Sequence, residues 1–88
     1  MEKSKAFLVA VATALVNNKE EVNVETKTDE RGVLLTLHVN PQDVGRIIGK
    51  EGHTAAAIRT LLKSVGMQEN ARVSMVIFDP RRVSEGQE

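Results

Sequence analysis

The stretch spanning residues 44–58 constrains the fold most, because it places a tight turn between two apolar segments of helical character. Gly49 and Gly52 bracket that turn, with Lys50 and Glu51 between them. A glycine lacks Cβ, so it can adopt a positive φ and lets another backbone approach closely. A helix that begins after the second glycine directs its free amide groups and the positive end of its dipole at the turn. The stretch therefore predicts two helices joined by a turn that attracts a phosphate group.

Apolar periodicity on either side of this turn predicts three helices and three strands. Residues 6–16 follow the helical period, whereas apolar and polar residues alternate in two later segments that a short turn, residues 29–32, makes antiparallel. Asn40 can cap the second helix, Pro41 suits its first position, and the Asp43 carboxylate can reach back to the cap. The predicted elements are a helix over 3–17 ended by Asn17-Asn18, strands over 21–29 and 33–39, a helix over 41–48, a helix from the turn to Val65 ended by Gly66, and a strand over 71–78.

The order of these elements, α-β-β-α-α-β, indicates an α+β fold. The helix pair between the second and third strands allows a parallel crossover, which gives a three-stranded mixed sheet with all three helices on one face. With 88 residues the chain is too short for two cores. We expect one domain over residues 1–79 and a flexible C-terminal tail over 80–88.

The residues of the turn also resemble a known signature. Ile47-Ile48-Gly49-Lys50-Glu51-Gly52, with Ile58 beyond, is similar to the I-I-G-x-x-G-x-x-x-x-x-I signature of a KH domain, a single-stranded nucleic-acid binder whose GxxG loop clamps backbone phosphates. Over residues 6–79 the order of elements resembles the small stand-alone bacterial KH-domain RNA-binding proteins of the KhpA/YlqC type. The resemblance implies a single type II KH domain, binding of single-stranded RNA, and a homodimer or a heterodimer with a larger KH-containing protein.

Charge and composition exclude several other classes of function. The formal net charge is zero, although residues 41–66 hold four basic and two acidic side chains around the turn. The chain has no cysteine, and its two histidines, His38 and His53, show no spacing typical of a metal site. The turn also lacks the Gly-Lys-Ser/Thr ending of a P-loop. We therefore expect no enzyme, no cofactor, no metal and no small-molecule substrate.

The candidate RNA-binding residues lie in and around the turn. The resemblance carries the binding role onto Gly49, Lys50, Glu51 and Gly52, and extends it to Arg46 and His53. We expect the amides of Lys50, Glu51 and His53 to meet phosphates, and Arg59 to reach the sugar-phosphate edge with Arg46. Ile47, Ile48 and Ile58 could line an apolar floor under the bases, but their spacing is also typical of core residues.

The sequence predicts weak binding by one copy. Glu51 places a negative charge on a loop that would clamp phosphates, and neither aromatic residue, Phe7 nor Phe78, falls near the turn to stack on bases. With so few phosphates neutralised, we expect a dissociation constant of about micromolar or weaker. A second copy or a partner domain would raise the affinity through avidity.

We therefore expect a cytoplasmic, bacterial RNA-binding adaptor or RNA chaperone of post-transcriptional regulation. Two other functions stay open: a protein-interaction module whose groove is idle, and a DNA binder that uses the helix pair as a helix-turn-helix. Residues 6–16 resemble a signal-peptide core in length, but no small-residue cleavage site follows them and they are too short to span a bilayer. The edge of the sheet and its outer face, with Leu34, Val76 and Phe78, are candidate contact surfaces.

Overall fold

The computed structural model describes residues 2–78, and the predicted tail over 80–88 lies outside the described residues. The elements are α1 (Glu2–Leu15), β1 (Asn23–Asp29), β2 (Gly32–His38), α2 (Val44–Ile48), α3 (His53–Gln68) and β3 (Val73–Ile77). Short 3₁₀ turns lie between them at Lys19–Glu21, Pro41–Asp43 and Lys50–Gly52. The predicted order α-β-β-α-α-β is confirmed.

Strand β2 forms the centre of a three-stranded sheet with the order β1-β2-β3. It pairs antiparallel with β1, from Asp29 opposite Gly32 to Asn23 opposite His38. It pairs parallel with β3, beginning with Val33 opposite Val73. The mixed sheet follows from its connections, because a short turn can only reverse the chain whereas the helix pair carries it back to the start of a parallel strand.

The core lies between the sheet and the helices. Val33, Leu35 and Leu37 alternate inward from β2 and are buried, as a half-buried strand requires. On α1 the buried residues recur every fourth position, at Ser4, Leu8 and Ala12, so that helix presents one stripe to the sheet, and the buried Val16 continues it just beyond the helix. Each fully buried leucine contributes roughly 1.5–3 kcal/mol relative to an exposed one.

The end of α1 and the start of the second helical segment are joined through Asp43. The Asn40 side chain caps as predicted, accepting a 2.8 Å hydrogen bond from the backbone N–H of Gln42. The prediction that Asp43 reaches back to this cap is wrong. Its carboxylate instead accepts bonds from the backbone N–H groups of Asn17 (3.3 Å) and Asn18 (3.0 Å) and from Asn18 Nδ2 (3.0 Å). Asp43 therefore satisfies donors just beyond α1, which ends at Leu15, two residues earlier than expected.

The predicted role of Gly66 as the stop of the third helix is also wrong. α3 runs on to Gln68, and Gly66 lies buried inside it. A Cβ at this position would lie 2.8 Å from the carbonyl oxygen of Ala71 and 2.8 Å from Val73 Cγ2. The glycine therefore allows the end of α3 to pack closely against the chain that enters β3.

Strands β1 and β3 are shorter than predicted, at Asn23–Asp29 and Val73–Ile77. Residues before β1 form a 3₁₀ turn instead, because the chain must first leave α1. None of the helices within residues 2–78 combines the length and the hydrophobicity that a transmembrane helix needs.

Candidate nucleic-acid interface

The turn between α2 and α3 has a backbone that requires glycine at its first bracket. Gly49 has φ 77° and ψ 178°, a region that residues with a side chain almost never occupy. A Cβ there would collide with Thr54 Oγ1 and would lie 2.9 Å from the Thr54 backbone nitrogen. Gly52 is left-handed, with φ 79° and ψ 8°, but a Cβ there would meet no atom within 4 Å. Position 49 therefore requires glycine because of packing as well as conformation, whereas position 52 requires it because of conformation alone.

Hydrogen bonds within the turn leave two amide groups open. The Gly49 N–H donates to the Gly45 carbonyl (2.9 Å), and the Gly52 N–H donates to the Gly49 carbonyl (3.2 Å). The His53 N–H donates to the Lys50 carbonyl, so it is not open to the phosphate that we expected it to meet. Over residues 2–78, the N–H groups of Lys50 and Glu51 have no hydrogen-bond acceptor. Two successive backbone donors without an acceptor are the kind of groups that can receive an anion.

Glu51 adopts an unusual conformation between these glycines. Its φ is 56° and its ψ is 23°, a left-handed conformation that costs a non-glycine residue roughly 1–2 kcal/mol. The side chain is exposed, and its Oε1 lies 3.8 Å from Nε2 of the exposed His53. The carboxylate therefore extends beside the next helix.

Three basic residues surround the turn, but they differ in how available their side chains are to a ligand. Lys50 is exposed on the turn. Arg46 is half exposed, and its Nε lies 3.5 Å from Asp43 Oδ1. Arg59 donates from its Nε to the carbonyl oxygen of Met75 on β3 (3.2 Å). Lys50 is thus the cation most available to a ligand, and Arg59 lies against the edge of the sheet.

Asp43 is ionised in this environment despite its burial. Burial alone raises the pKa of the Asp43 carboxyl group, but hydrogen bonds from Asn18 and Asn17 and the charge of Arg46 together lower this pKa below its ordinary value. The charged carboxylate can therefore hold Arg46 at one side of the turn. Sequence reasoning did not identify this pair, although the three-residue spacing of Asp43 and Arg46 on a helix was a usable signal.

The three isoleucines expected near the turn do not share one environment. Ile47 is fully buried and Ile58 is 3% exposed, so both belong to the core. Ile48 is half-buried and is the member of this set with surface beside the turn. The structure therefore places Ile47 and Ile58 behind the turn as supports, and leaves Ile48 to offer apolar contact.

Strand β3 adds an open edge to this side of the molecule. The Val33 N–H donates to the Arg72 carbonyl (2.7 Å), and the Phe78 N–H donates to the Leu37 carbonyl (2.9 Å). Because alternate residues of a strand direct their backbone groups to opposite sides, the Met75 carbonyl points away from β2. Arg59 donates a hydrogen bond to this carbonyl, so a side chain of α3 reaches the open edge of β3. Within residues 2–78 no group of three histidine, aspartate or glutamate side chains could hold a metal ion.

Comparisons with known proteins identify the family. The family model of the KhpA/KhpB KH domain matches residues 5–77. The chain is 42% identical over 74 residues to a protein named RNA-binding protein KhpA from Clostridium acetobutylicum, covering 84% of this chain and 99% of that one. It is 39% identical over 79 residues to the protein of that name from Lactiplantibacillus plantarum, covering 90% of this chain and 93% of that one.

A third relative, RNA-binding protein KhpA from Chlamydia trachomatis, is 42% identical over 77 residues, covering 88% of this chain and 99% of that one. No solved structure matches the chain. The observed element order and mixed sheet agree with the type II KH fold that the resemblance implied, and this membership agrees with the expectation that the chain is not an enzyme. The chain belongs to the KhpA/KhpB family of KH domains.

Proposed function

We propose that this chain binds single-stranded RNA through the turn formed by residues 49–52. The observation that carries the proposal is the pair of unpaired amides at Lys50 and Glu51, held between two glycines of positive φ. Those amides would receive a phosphate, with Lys50 supplying charge and Arg46 a second cation at the side. The name of its relatives, RNA-binding protein KhpA, supports RNA as the ligand.

The groove between α3 and the β3 edge would receive the bases. Ile48 would give them apolar contact, whereas Ile47 and Ile58 would hold the turn in place from behind. Arg59 would reach the sugar-phosphate backbone only by leaving the Met75 carbonyl. With two available cations, one copy would bind with a dissociation constant of about micromolar or weaker.

In the cell, the chain would act in the cytoplasm as a small adaptor or RNA chaperone of post-transcriptional regulation. It would work as a homodimer or with a larger KH-containing protein, which would raise the affinity through avidity. The match to a family model that spans both KhpA and KhpB supports a KH-containing partner. Exposed apolar side chains supply candidate surfaces for such pairing, namely Leu15 on α1 and Leu61 and Met67 on α3.

The test is fluorescence anisotropy with a mixed pool of labelled single-stranded RNA at two salt concentrations. The Lys50→Asp/Glu51→Asp variant is compared with the natural chain. The matched control is Glu30→Asp/Arg31→Asp, which makes the same change of charge in the exposed β1–β2 turn at the opposite end of the sheet. We expect the site variant to lose about tenfold or more in affinity and to show a shallower salt dependence, with the control unchanged.

The other outcomes separate the alternatives. Equal loss in both variants would show that binding depends on overall charge and not on the turn. Preference for a duplex DNA of the same length would favour the helix-turn-helix reading. Absence of salt-sensitive RNA binding, together with tight association with a protein, would favour the interaction module, which the zero net charge also suits. Circular dichroism of each variant confirms that it is folded.

A further inference from the structure

The face of the sheet opposite the helices carries an aromatic pair that the RNA groove does not use. We define the outer sheet face as Leu34, Thr36 and His38 of β2, Ser74 and Val76 of β3, and Phe78, which continues the pairing of β3 with a 2.9 Å bond to the Leu37 carbonyl. Val76 is 43% exposed and Phe78 is 38% exposed. These two exposed apolar side chains are a candidate contact surface.

The rings of His38 and Phe78 pack against each other at one end of this face. Their ring centroids lie 4.9 Å apart and their planes are inclined by 35°. His38 Nε2 lies 3.2 Å from Oε1 of Glu25 on β1, but within residues 2–78 it makes no hydrogen bond, so Glu25 borders the imidazole ring on the β1 side without fixing it. The chain has two phenylalanines and no tyrosine or tryptophan, so Phe78 is one of two phenyl rings, and it is exposed.

This pair lies next to the groove of the proposed RNA site. Phe78 and His38 are at the end of the sheet from which β2 leads into the helices that hold the GxxG turn. Phe78 directly follows β3, whose open edge borders the groove through Arg59 and the Met75 carbonyl. A strand lying in the groove therefore needs only to cross this edge to reach the Phe78 ring.

We propose that a nucleotide flanking the GxxG-bound segment leaves the groove over the β3 edge and stacks its base on the His38–Phe78 pair. This rests on the proposed function, because it extends the same RNA past the turn. A base suits the pair because every base presents a flat π-face, and stacking on an aromatic side chain needs no particular sequence.

A protein partner fits this face less well. A stable protein–protein interface takes roughly 20–30 residues from each side around an apolar centre. Here the apolar side chains number three, Leu34, Val76 and Phe78, and charged side chains of β1, Glu25 and Lys27, share the same sheet. One exposed aromatic ring suits a stacked base better than it suits a protein partner.

The experiment tests whether the effect of removing the Phe78 ring depends on the length of the RNA. Mixed-sequence single-stranded RNAs of four and eight nucleotides are titrated into the natural chain, Phe78→Ala and the matched control Val76→Ala, which shortens an aliphatic side chain on the same face. A KH groove holds about four nucleotides, so only the longer RNA can reach Phe78. We expect Phe78→Ala to weaken binding of the eight-nucleotide RNA about tenfold and to leave the four-nucleotide RNA unchanged, with Val76→Ala near the natural chain.

A second variant reports stacking directly. Because the chain has no tryptophan, Phe78→Trp introduces a single fluorophore and keeps an aromatic ring. Its emission should be quenched by the eight-nucleotide RNA and not by the four-nucleotide RNA, and its affinity should match or exceed that of the natural chain. Circular dichroism establishes that each variant is folded.

Three results would overturn the proposal, and they can be told apart. If the natural chain binds both RNAs equally and Phe78→Ala changes neither, the turn binds RNA but the pair does not. If Phe78→Ala and Val76→Ala both lower the mass of the protein in solution, the outer sheet face is a protein contact. If neither RNA binds in a salt-sensitive way, the proposed function fails and the stacking proposal fails with it.

Discussion

At the scale of single residues, the glycines near the turn are not equivalent. Gly45 lies in α2 with ordinary helical φ, and a Cβ there would meet nothing within 4 Å. Gly49 combines a positive φ with direct contact to Thr54. The sequence indicated that Gly49 mattered from its spacing, but the contact with Thr54 that makes it irreplaceable depends on how α3 starts.

Gly49→Ala should therefore be strongly destabilising and Gly45→Ala should not. The first change forces a Cβ against Thr54 in a conformation reserved for glycine, which we expect to cost about 2–4 kcal/mol of unfolding free energy. The second replaces an exposed helical glycine by alanine and should stabilise by about 0.5–1 kcal/mol. Urea unfolding of the three proteins measures both, and equal stability of the two variants would contradict the geometry of the turn.

Glu51 is the residue whose replacement should improve both stability and binding. Asparagine tolerates the left-handed conformation better than glutamate and carries no charge. We expect Glu51→Asn to raise the unfolding free energy by about 0.5–1 kcal/mol and to tighten binding of single-stranded RNA several-fold. Thermal unfolding and anisotropy measure the two effects separately. A gain in stability with no gain in affinity would show that the Glu51 carboxylate points away from the bound phosphate.

At the scale of elements, local patterns predicted what each segment is but not where each one ends. The alternation from Val33 to Leu37 was enough to predict β2, since burial on one face imposes that period. The ends of α1 and α3 depend on contacts with distant residues. Asp43 bonds to donors 25 and 26 residues earlier, and Gly66 packs against the chain entering β3. Such contacts leave no periodic signal in the sequence.

The candidate site also combines features that the local sequence predicts with features that depend on contacts between distant residues. The glycines and Lys50 could be identified from spacing and composition, because a turn and a phosphate make local demands on residue type. The difference in burial between Ile48 and the buried Ile47 and Ile58 could not be predicted, because three apolar residues at core spacing look alike until the helix is packed. The pairing of Arg59 with Met75 joins α3 to β3 and is likewise a product of the fold.

The Asp43 link between α1 and the start of α2 should be sensitive to acid. Its pKa is lowered in the folded chain, so the stability it contributes is complete above the ordinary carboxyl pKa of about 3.9 and is lost as the pH falls through the lower folded pKa. Asp43→Asn should therefore unfold at a lower temperature than the natural chain near pH 7, and this gap should narrow below about pH 4.

Thermal unfolding from pH 2 to pH 7 measures that gap for Asp43→Asn. Glu20→Gln is the control, because Glu20 is an exposed carboxylate in the 3₁₀ turn that follows α1. It should unfold with the natural chain at every pH. A gap for Asp43→Asn that stays constant down to pH 2 would mean that the charge of Asp43 is not what joins the two elements.

At the scale of the whole molecule, the chain combines zero net charge with a local excess of cations around one turn. A neutral molecule attracts a nucleic acid only at short range, so its association is not steered by a long-range field. The fold meets this condition by placing the open amides, Lys50 and Arg46 at one end, while the outer sheet face carries the exposed aromatic ring. Binding by one copy should therefore depend on few phosphates.

The salt dependence of RNA binding measures how many phosphates the chain neutralises. For single strands the slope of log K against log salt is about −0.7 per neutralised phosphate, so contacts from Lys50 and Arg46 predict a slope near −1.4. Between 50 and 200 mM salt, the affinity should then fall about sevenfold. Anisotropy titrations across that range, at protein concentrations where sedimentation shows one species, give the slope directly. A slope of about −4 would require more cations than the turn presents, and would mean that a second copy or a wider surface of the chain contacts the same RNA.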